Sequence, residues 1–376
     1  MTLTVGVIGG GQLARMMIPA ATHLGIDLRV FAENDGSPSA IAATQVGDYV
    51  DADQVLRFTR EAAVDVITFD HEHVPQAVLS ALVEAGVAVR PGPNALLYAQ
   101  DKLLMRARLS ELGLPVPEWA AVSTEAELDA FIEAHGGVAI VKTPRGGYDG
   151  KGVRVVRRGR EANDWFEAPG IGALLAEELV EFRRELAQSV ARRPSGDIVA
   201  WPVVESVQQN GVCAEVIAPA PNSAGRIADV AEQIAVTVAE GLDVTGVLAV
   251  ELFETTDDRL LINELAMRPH NTGHWSIEGS TTSQFEQHLR AVLDLPLGAT
   301  GTRDAWTVMV NVLGGPVGGG LDSRYAKAMA EHPTVKFHSY GKDSRPGRKV
   351  GHVSVGGSDL DDAMYQARAA AEILTE

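Results

Sequence analysis

Two glutamates, Glu251 and Glu264, have the type and spacing of a site for a divalent cation. They lie in two apolar runs, Val247–Glu254 and Leu260–Leu265, which flank a short polar turn as the strands of a β-hairpin do. If the turn is symmetric, residues 251 and 264 lie opposite each other on one face of the hairpin. Like charges in that position destabilise a hairpin, and a bound cation removes the repulsion.

Magnesium is the ion that this arrangement favours, because Mg²⁺ is usually held by one or two carboxylates together with substrate phosphates. The amide oxygen of Asn263, next to Glu264, could supply a further ligand. Mn²⁺ is an alternative ion for the same oxygen ligands. The competing interpretation is structural, with two surface glutamates paired with arginines such as Arg268.

A glycine-rich loop, GGYDGKG at 146–152, is the second candidate site. Its four glycines can turn backbone N–H groups towards phosphates. It lies between two predicted strands, Val138–Lys142 and Val153–Val156, whereas a Walker A loop leads into a helix. With Lys142 before the loop and Lys151 within it, the pattern suits a lid over a nucleoside triphosphate. A glycine-rich hairpin is the structural alternative.

Two basic clusters follow the carboxylates along the chain. The segment RPHNTGHW at 268–275 concentrates arginine, histidine and asparagine, which orient anions or carbonyl groups. His270 and His274 are four residues apart, but the proline and glycine of the segment disfavour a helix that would bring them together, so zinc is not predicted. The segment RPGRKVGH at 345–352 has three basic residues within five and is either an anion site or a solvated turn.

The N-terminal segment GGGQLA at 9–14 fits the pattern G-x-G-x-x-A between a predicted strand, Val5–Ile8, and a predicted helix, Gln12–Leu24. With Glu33 about 20 residues further on, it matches a dinucleotide fingerprint. A nucleotide or ribose phosphate fits the same glycines and helix N-terminus equally well. A tight turn without a ligand is the structural alternative.

The predicted secondary structure that positions these residues differs between the N-terminal part of the chain and the rest. The first 90 residues alternate strand and helix patterns, which indicates a parallel sheet of βαβ units. A breaker cluster, Arg90–Pro93, marks a boundary. Strand patterns dominate from 173 to 217, and the residues after 300 mix short strands with one predicted helix, Leu360–Leu374. The other predicted strands are Leu28–Ala32, Val46–Val50, Val64–Phe69 and Val87–Val89, and the other predicted helices are Pro75–Ala85, Asn94–Leu112, Glu125–Ala134, Ile227–Gly241 and Ser283–Asp294.

Composition excludes several classes of protein. The 376 residues suffice for two or three domains and carry a net charge of −18, which is unlike a nucleic-acid-binding surface. The single cysteine, Cys213, cannot form an intramolecular disulfide and fits a reducing cytosol. We find no apolar run long enough for a membrane span and no signal-peptide pattern, and we therefore expect a cytoplasmic protein.

Together these motifs resemble the ATP-grasp superfamily, and most closely its 5-(carboxyamino)imidazole ribonucleotide synthase family. The segments that carry the resemblance, in the family's order, are GGGQLARM (9–16), KTPRGGYDGKG (142–152), EELVEFRRE (177–185), NELAMRPHNTGHW (263–275), SQFEQHLRAVLDLPLG (283–298) and RPGRKVGH (345–352). The resemblance implies an α/β and α+β fold of three parts: a Rossmann-like domain over 1–93, an ATP-grasp domain over 94–300 and a small C-terminal closing domain over 301–376.

The resemblance also implies an activity, ATP- and bicarbonate-dependent carboxylation of the exocyclic amine of 5-aminoimidazole ribonucleotide, with ADP and phosphate released, in purine biosynthesis. It suggests a homodimer. Bicarbonate would be activated as carboxyphosphate, which needs positioning and charge neutralisation more than a covalent nucleophile. A closing glycine-rich loop would shield that species from water.

The resemblance assigns roles residue by residue. ATP would contact Lys102, Lys142, Gly147, Tyr148, Asp149, Gly150, Lys151, Gly152, Glu177, Glu178, Leu179, Val180, Glu185, Gln208, Asn263 and Glu264. Mg²⁺ would bind Glu251 and Glu264. The ribonucleotide and bicarbonate would contact Gln12, Glu72, Tyr148, Asp149, Arg345, Arg348 and Lys349. The catalytic candidates are Arg268, Asn271, His274 and Lys349, and His274 or a substrate phosphate is the candidate proton acceptor.

The sequence departs from the family at three places. No histidine stands near Gln208, where relatives often have one that contacts nucleotide. The stretch TFDHEHVP at 68–75 replaces F-E-N-V-P, and we align Glu72 with its glutamate. Met267 stands where proline is common.

Three other functions compete with the carboxylating ligase. One is a sister ATP-grasp enzyme, such as formate-dependent glycinamide ribonucleotide formyltransferase or a biotin carboxylase-type domain, which the segments 268–275 and 345–352 disfavour. Another is an NAD-dependent oxidoreductase built on residues 9–14, which leaves the Glu251/Glu264 pair unexplained. The third is a nucleotide-binding regulator without turnover, which needs neither the paired carboxylates nor Lys142.

Overall fold

The computed structural model describes residues 2–146, 152–209, 211–316 and 319–376. Its N-terminal part is a parallel sheet with helices against it, as the alternating pattern predicts. The elements are β1 (Thr4–Ile8), α1 (Gln12–Leu24), β2 (Asp27–Ala32), β3 (Ala43–Val46), α2 (Ala52–Glu61), β4 (Val66–Phe69) and α3 (Gln76–Glu84). The strand order β3-β2-β1-β4 places the glycine segment after β1 at the carboxyl edge of the sheet.

Two predicted strands of this part are wrong. The strand predicted at Val46–Val50 lies earlier, at 43–46, because the residues after it turn into α2, whose N-cap is Asp51. The strand predicted at Val87–Val89 is reduced to one isolated bridge between Val89 and Ile67.

The single helix predicted at Asn94–Leu112 is in fact two helices, α4 (Pro93–Gln100) and α5 (Lys102–Glu111). The break lies at Asp101, whose backbone is extended and whose carboxylate accepts the N–H groups of Leu103 and Leu104. Asp101 therefore caps a new helix instead of continuing the first one. The break re-aims α5, which carries Lys102 and Arg106.

A small antiparallel sheet follows. Its elements are β5 (Trp119–Val122), α6 (Glu125–Ala134), β6 (Ala139–Lys142), β7 (Val153–Val156), a short helix α7 (Asn163–Phe166) and β8 (Leu174–Glu178). The strand order is β5-β8-β6-β7. The glycine-rich loop joins β6 to β7, as predicted, and residues 147–151 of that loop lie outside the described residues.

The rest of the chain builds one large sheet. Its elements are β9 (Phe182–Arg192), β10 (Ile198–Ala200), β11 (Val204–Gln209), β12 (Val212–Ala218), α8 (Arg226–Gly241), β13 (Gly246–Thr255), β14 (Leu260–Ala266), α9 (Ser276–Gly279), α10 (Gln284–Val292), β15 (Trp306–Leu313), α11 (Asp322–Glu331), β16 (Lys336–Ser339), β17 (Lys349–Gly357) and α12 (Leu360–Thr375). The strand order is β14-β13-β9-β11-β12-β15-β17-β16, with β10 beside β9.

This sheet crosses the position where the third domain is predicted to begin. Strand β12 pairs with β15, so the residues after 300 extend the sheet that holds the hairpin of β13 and β14. Helix α11 is absent from the prediction, which has one helix in this part. Only Ala328 of α11 is buried, and half of the residues of this helix are charged or serine, so it lacks a pronounced apolar run.

One apolar core joins the parallel sheet to the large sheet. It includes Ile8 and Phe69 from the first and Leu186, Leu248 and Ile262 from the second. Packing of this kind fixes the carboxyl edge of the parallel sheet relative to the hairpin. In the part of the chain that the structure describes, no helix combines the length and the apolar character needed to cross a bilayer.

Candidate active site

The paired carboxylates lie on the hairpin of β13 and β14, and their predicted pairing is confirmed. Near the turn Leu252 pairs with Ile262, a register that would set Glu251 opposite Asn263. A β-bulge then shifts the register by one residue, so that Glu251 pairs with Glu264. The bulge therefore places two carboxylates directly opposite each other, which a hairpin without a cation disfavours.

The surroundings of Glu251 disfavour its charge. Burial, together with the charges of Glu264 and Glu185, raises the pKa of Glu251 to about 8. Burial also raises the pKa of Glu185 to about 7. His270 Nε2 lies 3.4 Å from Glu251 Oε1, but burial holds the pKa of His270 well below its ordinary value, so this imidazole brings no positive charge. The neighbouring cations therefore do not hold the Glu251 carboxyl in its charged form at neutral pH.

The residues present fit Mg²⁺. The two carboxylates and the Asn263 amide are hard oxygen donors, which Mg²⁺ prefers to sulfur or imidazole. Among the described residues, no group of three or more His, Cys, Asp and Glu forms a complete ligand set. Two carboxylates would leave coordination positions for phosphate oxygens and water. A cation bound between the two carboxylates would favour the charged form of Glu251, which burial and the charge of Glu264 disfavour.

A buried ion network fixes Lys142 beside the hairpin. Lys142 Nζ lies 2.7 Å from Glu177 Oε2 and donates to Asn263 Oδ1 at 3.2 Å. Arg106 is fully buried, binds the other oxygen of Glu177 and donates to the Asn263 carbonyl oxygen at 2.6 Å. Burial opposes the charge of Glu177, but Arg106 and Lys142 outweigh it and lower the pKa of this carboxyl. The network holds Lys142 and Asn263 in one geometry.

Arg106 is missing from the sequence prediction. It lies within α5 among ordinary helix formers, and no motif marks it. Lys102, predicted from the same helix, donates to the Gly146 carbonyl oxygen at 3.0 Å and lies 3.9 Å from Glu264 Oε1. Helix α5 therefore supplies one cation to the ion network and one to the start of the glycine-rich loop.

The other predicted nucleotide contacts lie where the two antiparallel sheets meet. Glu177 and Glu178 end β8, and Leu179 and Val180 connect it to β9, with Leu179 46% exposed. Glu178 Oε1 accepts the N–H of Glu118 at 3.0 Å, which ties this junction to the segment before β5.

Gly152, Gln208 and Glu185 lie on three different elements. The Gly152 carbonyl oxygen accepts the Thr143 N–H at 3.0 Å, which closes the glycine-rich loop. Gln208, on β11, donates to the Ser206 hydroxyl at 2.9 Å and lines a surface groove with Arg368. Glu185, on β9, is the residue whose charge contributes to the raised pKa of Glu251. The predicted contacts Gly147, Tyr148, Asp149, Gly150 and Lys151 lie outside the described residues.

Glu72 joins the parallel sheet to the basic segment 268–275. Its oxygens accept the N–H of Met267 at 2.9 Å and the Arg268 Nε–H at 2.7 Å. The structure thus places Glu72, predicted to contact substrate, where it supports Arg268. Gln12, the other predicted contact from this sheet, accepts a hydrogen bond from Lys342 Nζ at 2.7 Å.

His270 is the histidine that faces the carboxylates, and the sequence prediction selected its neighbours instead. Asn271 is buried next to the thiol of Cys213. His274 is fully buried, and its Nδ1 lies 2.8 Å from Gln284 Nε2. The motif RPHNTGHW contains the signal for His270, but the residue that reaches the carboxylates depends on the short 3₁₀ turn at Asn271–Gly273.

The segment 345–352 divides into an exposed turn and a strand. Arg345 is exposed, and Arg348 donates to the Asp343 carbonyl oxygen at 3.2 Å. Lys349 begins β17, and its charge acts to lower the pKa of both Glu251 and His270. The structure therefore brings Lys349 and Arg268 towards the carboxylates and leaves Arg345 at the rim.

The glycine segment of the parallel sheet binds its own carboxylates. The Gly10 N–H donates to Glu33 Oε2 at 3.1 Å, and the Ala14 N–H donates to Asp70 Oδ1 at 2.8 Å. A Cβ at Gly11 would overlap the Asp70 carboxylate, so glycine is required for this approach. A hydrogen bond from His71 lowers the pKa of Glu33 to about 2. Two of the backbone donors that a phosphate could use are thus bound to carboxylates, whose charge disfavours a dinucleotide phosphate here.

Family models match almost the whole chain in three successive parts. Residues 1–100 match the ribonucleotide synthetase preATP-grasp domain, residues 107–285 the ATP-grasp domain, and residues 307–366 the phosphoribosylaminoimidazole carboxylase C-terminal domain. The parallel sheet lies within the first match and the small antiparallel sheet within the second, whereas the large sheet runs through both the second and the third.

Known proteins resemble the chain over its full length. The N5-carboxyaminoimidazole ribonucleotide synthase of Mycobacterium tuberculosis is 49% identical over 99% of this chain and 87% of its own. A crystal structure of N5-carboxyaminoimidazole ribonucleotide synthetase from Thermus thermophilus has a TM-score of 0.88 at 34% identity and covers 99% of both chains. One of N5-carboxyaminoimidazole synthase from Aspergillus clavatus, in complex with ADP and 5-aminoimidazole ribonucleotide, has a TM-score of 0.87 at 30% identity and covers 99% of this chain and 98% of its own. The chain belongs to the N5-carboxyaminoimidazole ribonucleotide synthase family of ATP-grasp ligases.

Proposed function

We propose that this protein carboxylates the exocyclic amine of 5-aminoimidazole ribonucleotide, using ATP and bicarbonate and releasing ADP and phosphate, as a step of de novo purine biosynthesis. The observation that carries the proposal is the uncompensated Glu251/Glu264 pair, with Lys142 fixed on one side and Arg268 on the other. Family membership supports the same reaction, because relatives carry its name and one was crystallised with ADP and 5-aminoimidazole ribonucleotide.

Mg²⁺ would be held by Glu251 and Glu264, with Mn²⁺ as an alternative ion. When bound, the ion would neutralise charge on the phosphates of ATP. ATP itself would lie between the small sheet and the large sheet. Its proposed contacts are Lys102, Lys142, Asn263, Glu264, Glu185, Gln208, the segment Glu177–Val180 and the glycine-rich loop to Gly152.

The chain's own residues would act by orientation and charge. Lys142 cannot leave its site without breaking its ion pair with Glu177, so its ammonium would meet a phosphate with little reorganisation. Arg268 is held by Glu72 in the same way. Attack of bicarbonate on the γ-phosphate needs this kind of positioning rather than a covalent nucleophile. The ribonucleotide would meet Arg268, Asn271 and Lys349, with Gln12, Glu72, Arg345 and Arg348 at the periphery.

The remaining features of the proposal rest on the family and on composition. We propose a cytoplasmic homodimer with small-molecule substrates and no nucleic-acid or membrane partner, in keeping with the net charge of −18 and the single cysteine. The domain limits 1–93, 94–300 and 301–376 are likewise proposals. The pairing of β12 with β15 makes the third part an extension of the second.

Release of ADP tests the function directly. ADP would be measured from MgATP with bicarbonate, with and without 5-aminoimidazole ribonucleotide, and we expect strong stimulation by the ribonucleotide. Glycinamide ribonucleotide with formate, in place of ribonucleotide and bicarbonate, is the control for the sister ligase. Stimulation by that pair alone, or none by either in protein that still binds ATP, would overturn the proposal.

A further inference from the structure

Two fully buried histidines, His274 and His352, face each other where the segment 268–275, which we call the substrate loop, meets the C-terminal strands. Their ring centroids lie 5.1 Å apart at an interplanar angle of 29°. His274 follows the turn that carries His270, and His352 lies on β17, three residues after Lys349. In each ring, Nε2 is buried without a hydrogen-bond partner among the residues that the structure describes.

The tautomer of His274 follows from the orientation of Gln284. Gln284 Oε1 accepts the His270 N–H at 2.8 Å, so its other terminal atom is the amide nitrogen. That nitrogen donates to the His270 carbonyl oxygen at 2.8 Å and lies 2.8 Å from His274 Nδ1. Because an amide nitrogen only donates, Nδ1 of His274 must accept. The neutral ring therefore carries its proton on Nε2, which is left as a donor.

The tautomer of His352 follows from a second chain of contacts. Asn311 Nδ2 donates to the Cys213 carbonyl oxygen at 2.9 Å, which turns Asn311 Oδ1 towards Tyr340. The Tyr340 hydroxyl donates to that oxygen at 3.3 Å, and its own oxygen lies 2.9 Å from His352 Nδ1. A hydroxyl has one proton to give, so His352 Nδ1 must donate to Tyr340. The Nε2 of His352 is left as an acceptor.

The two unused nitrogens are therefore complementary. A buried polar atom without a partner costs stability, and a water molecule that accepts from one group and donates to another removes that cost. Both imidazoles are kept neutral, since burial holds the pKa of His274 and of His352 well below the ordinary value. Neutral rings with one donor and one acceptor are what a single bridging water requires.

We propose that His352 is a positioning residue for the substrate loop, and that it acts on His274 through one buried water that accepts from His274 Nε2–H and donates to His352 Nε2. Gln284 binds His270 at two backbone atoms and His274 at its ring, so the loop moves as one unit with His274. The bridge ties that unit to the strand that begins at Lys349. His274 is then a positioning residue too, and not the proton acceptor that the sequence suggested.

Neutron diffraction from perdeuterated crystals tests the bridge itself. We expect deuterium on His274 Nε2 and on His352 Nδ1, none on His352 Nε2, and one D₂O within hydrogen-bonding distance of both Nε2 atoms. His288 is the internal reference: the Val247 N–H and the Thr68 hydroxyl occupy both of its ring nitrogens, so no water is expected there. Deuterium on His352 Nε2, or no water that contacts both Nε2 atoms, would overturn the bridge.

A pair of substitutions separates positioning from simple packing. Glutamine at 352 keeps a polar atom where Nε2 stands, whereas asparagine keeps one where Nδ1 stands and loses the far atom. We expect the KM for the ribonucleotide to rise about tenfold in His352→Asn and to stay within about twofold of wild type in His352→Gln. Only in His352→Asn does the water that binds His274 Nε2–H lose its acceptor at position 352. The KM for ATP should not change in either variant.

The reverse order of the two variants, or equal effects on both KM values, would show that His352 acts only through Tyr340 or through packing. This kinetic arm rests on the proposed function, whereas the diffraction arm does not. If wild-type protein shows no ribonucleotide-dependent turnover, the proposed function fails while the tautomers and the water still decide the bridge.

Discussion

The glycine segment of the parallel sheet and the carboxylate hairpin of the large sheet handle charge in opposite ways. In the first, two backbone N–H groups that could bind a phosphate, those of Gly10 and Ala14, donate to Glu33 and Asp70 instead. In the second, a bulge sets Glu251 against Glu264, and the pair remains without sufficient cationic partners, so that the pKa of Glu251 rises to about 8. A motif can bind a ligand when the fold leaves its charged or polar groups without partners from the protein. The motif alone does not determine whether such partners are present.

The largest expected effect is on turnover at the hairpin. Glu251→Gln removes half of the proposed metal-binding pair, and we expect ribonucleotide-dependent ADP release to fall by at least about a hundredfold. Titration with Mg²⁺ monitored by thermal unfolding measures the loss of metal affinity independently of activity. Wild-type turnover in this variant would show that the pair is not a metal site.

Substitution of Arg106 tests the buried ion network of Arg106, Glu177 and Lys142, which binds Asn263 of the hairpin. Arg106→Met leaves the Glu177 carboxylate buried with Lys142 alone, and we expect a loss of about 3–5 kcal/mol in the free energy of unfolding. Arg108→Met, two residues further along the same helix in a partly exposed pair with Glu111, is the matched control and should cost less than about 1 kcal/mol. Urea unfolding measures both, and equal losses would contradict the importance of the network.

The pH dependence of stability distinguishes the two regions most sharply. The pKa of Glu251 is raised from about 4.5 to about 8 on folding, so the folded protein holds a proton that the unfolded chain has lost. Stability without metal should therefore fall as pH rises through that window, by at most about 1.4 kcal/mol per pH unit for this one group. Saturating Mg²⁺ should flatten the slope. A slope unchanged by Mg²⁺, or of opposite sign, would contradict the uncompensated cluster.

Glu33 should respond with the opposite sign. Its pKa is lowered to about 2, so its contribution to stability is complete above its unfolded pKa and is lost as pH falls towards 2. Glu33→Gln should cost less than about 1 kcal/mol at neutral pH, because the carboxylate is 41% exposed and solvent weakens its contacts, and it should leave turnover unchanged, because the residue fixes the loop and lies outside the proposed site. Chemical unfolding and ADP release measure the two quantities. A new affinity for inorganic phosphate in this variant would sharpen the comparison, since it would reveal the site that Glu33 fills.

The smallest effect compares two glutamates on one hairpin. At about pH 9, where a pKa of about 8 leaves Glu251 ionised, Glu264→Gln removes like-charge repulsion and should stabilise the metal-free protein by about 0.2–1 kcal/mol. Glu254 lies on the same hairpin but pairs with Arg183 and Arg184, so Glu254→Gln should destabilise it. Thermal unfolding without Mg²⁺ measures both changes. The same sign in both variants would contradict the contrast between Glu264, which lies opposite another carboxylate, and Glu254, which is paired with two arginines.

The hairpin pairing could be predicted because it depends on local numbering, although the reason is not the assumed symmetric turn. The register near the turn pairs Leu252 with Ile262, and only the bulge brings Glu264 into place. Arg106 could not be predicted, because its role depends on burial against Glu177, 71 residues away. The break at Asp101 was readable in principle, since aspartate is a good N-cap, but the helical pattern runs through it.

The basic segments show the same division. The motif 268–275 located the loop. The backbone conformation of the three-residue 3₁₀ turn then directs His270 to the carboxylates and His274 into the core. Glu72 and Arg268 were both selected, but their pairing was not predicted, because the two residues come from distant parts of the chain. Sequence reasoning found residue types near the chemistry, and tertiary packing decided which atoms face it.

The order of strands in the large sheet has a consequence for its curvature. Glu251 on β13 and Lys349 on β17 are separated by β9, β11, β12 and β15, which in a flat sheet would set their strands about 24 Å apart. Yet His270 lies 3.4 Å from Glu251, and His274, further along the same loop, has its ring centroid 5.1 Å from that of His352 on β17, so the sheet bends and the two strands approach across its hollow side. The sheet is therefore a trough whose depth sets the distance between the proposed cation site and the basic strand, and a substitution that flattened it would separate the two without altering either one.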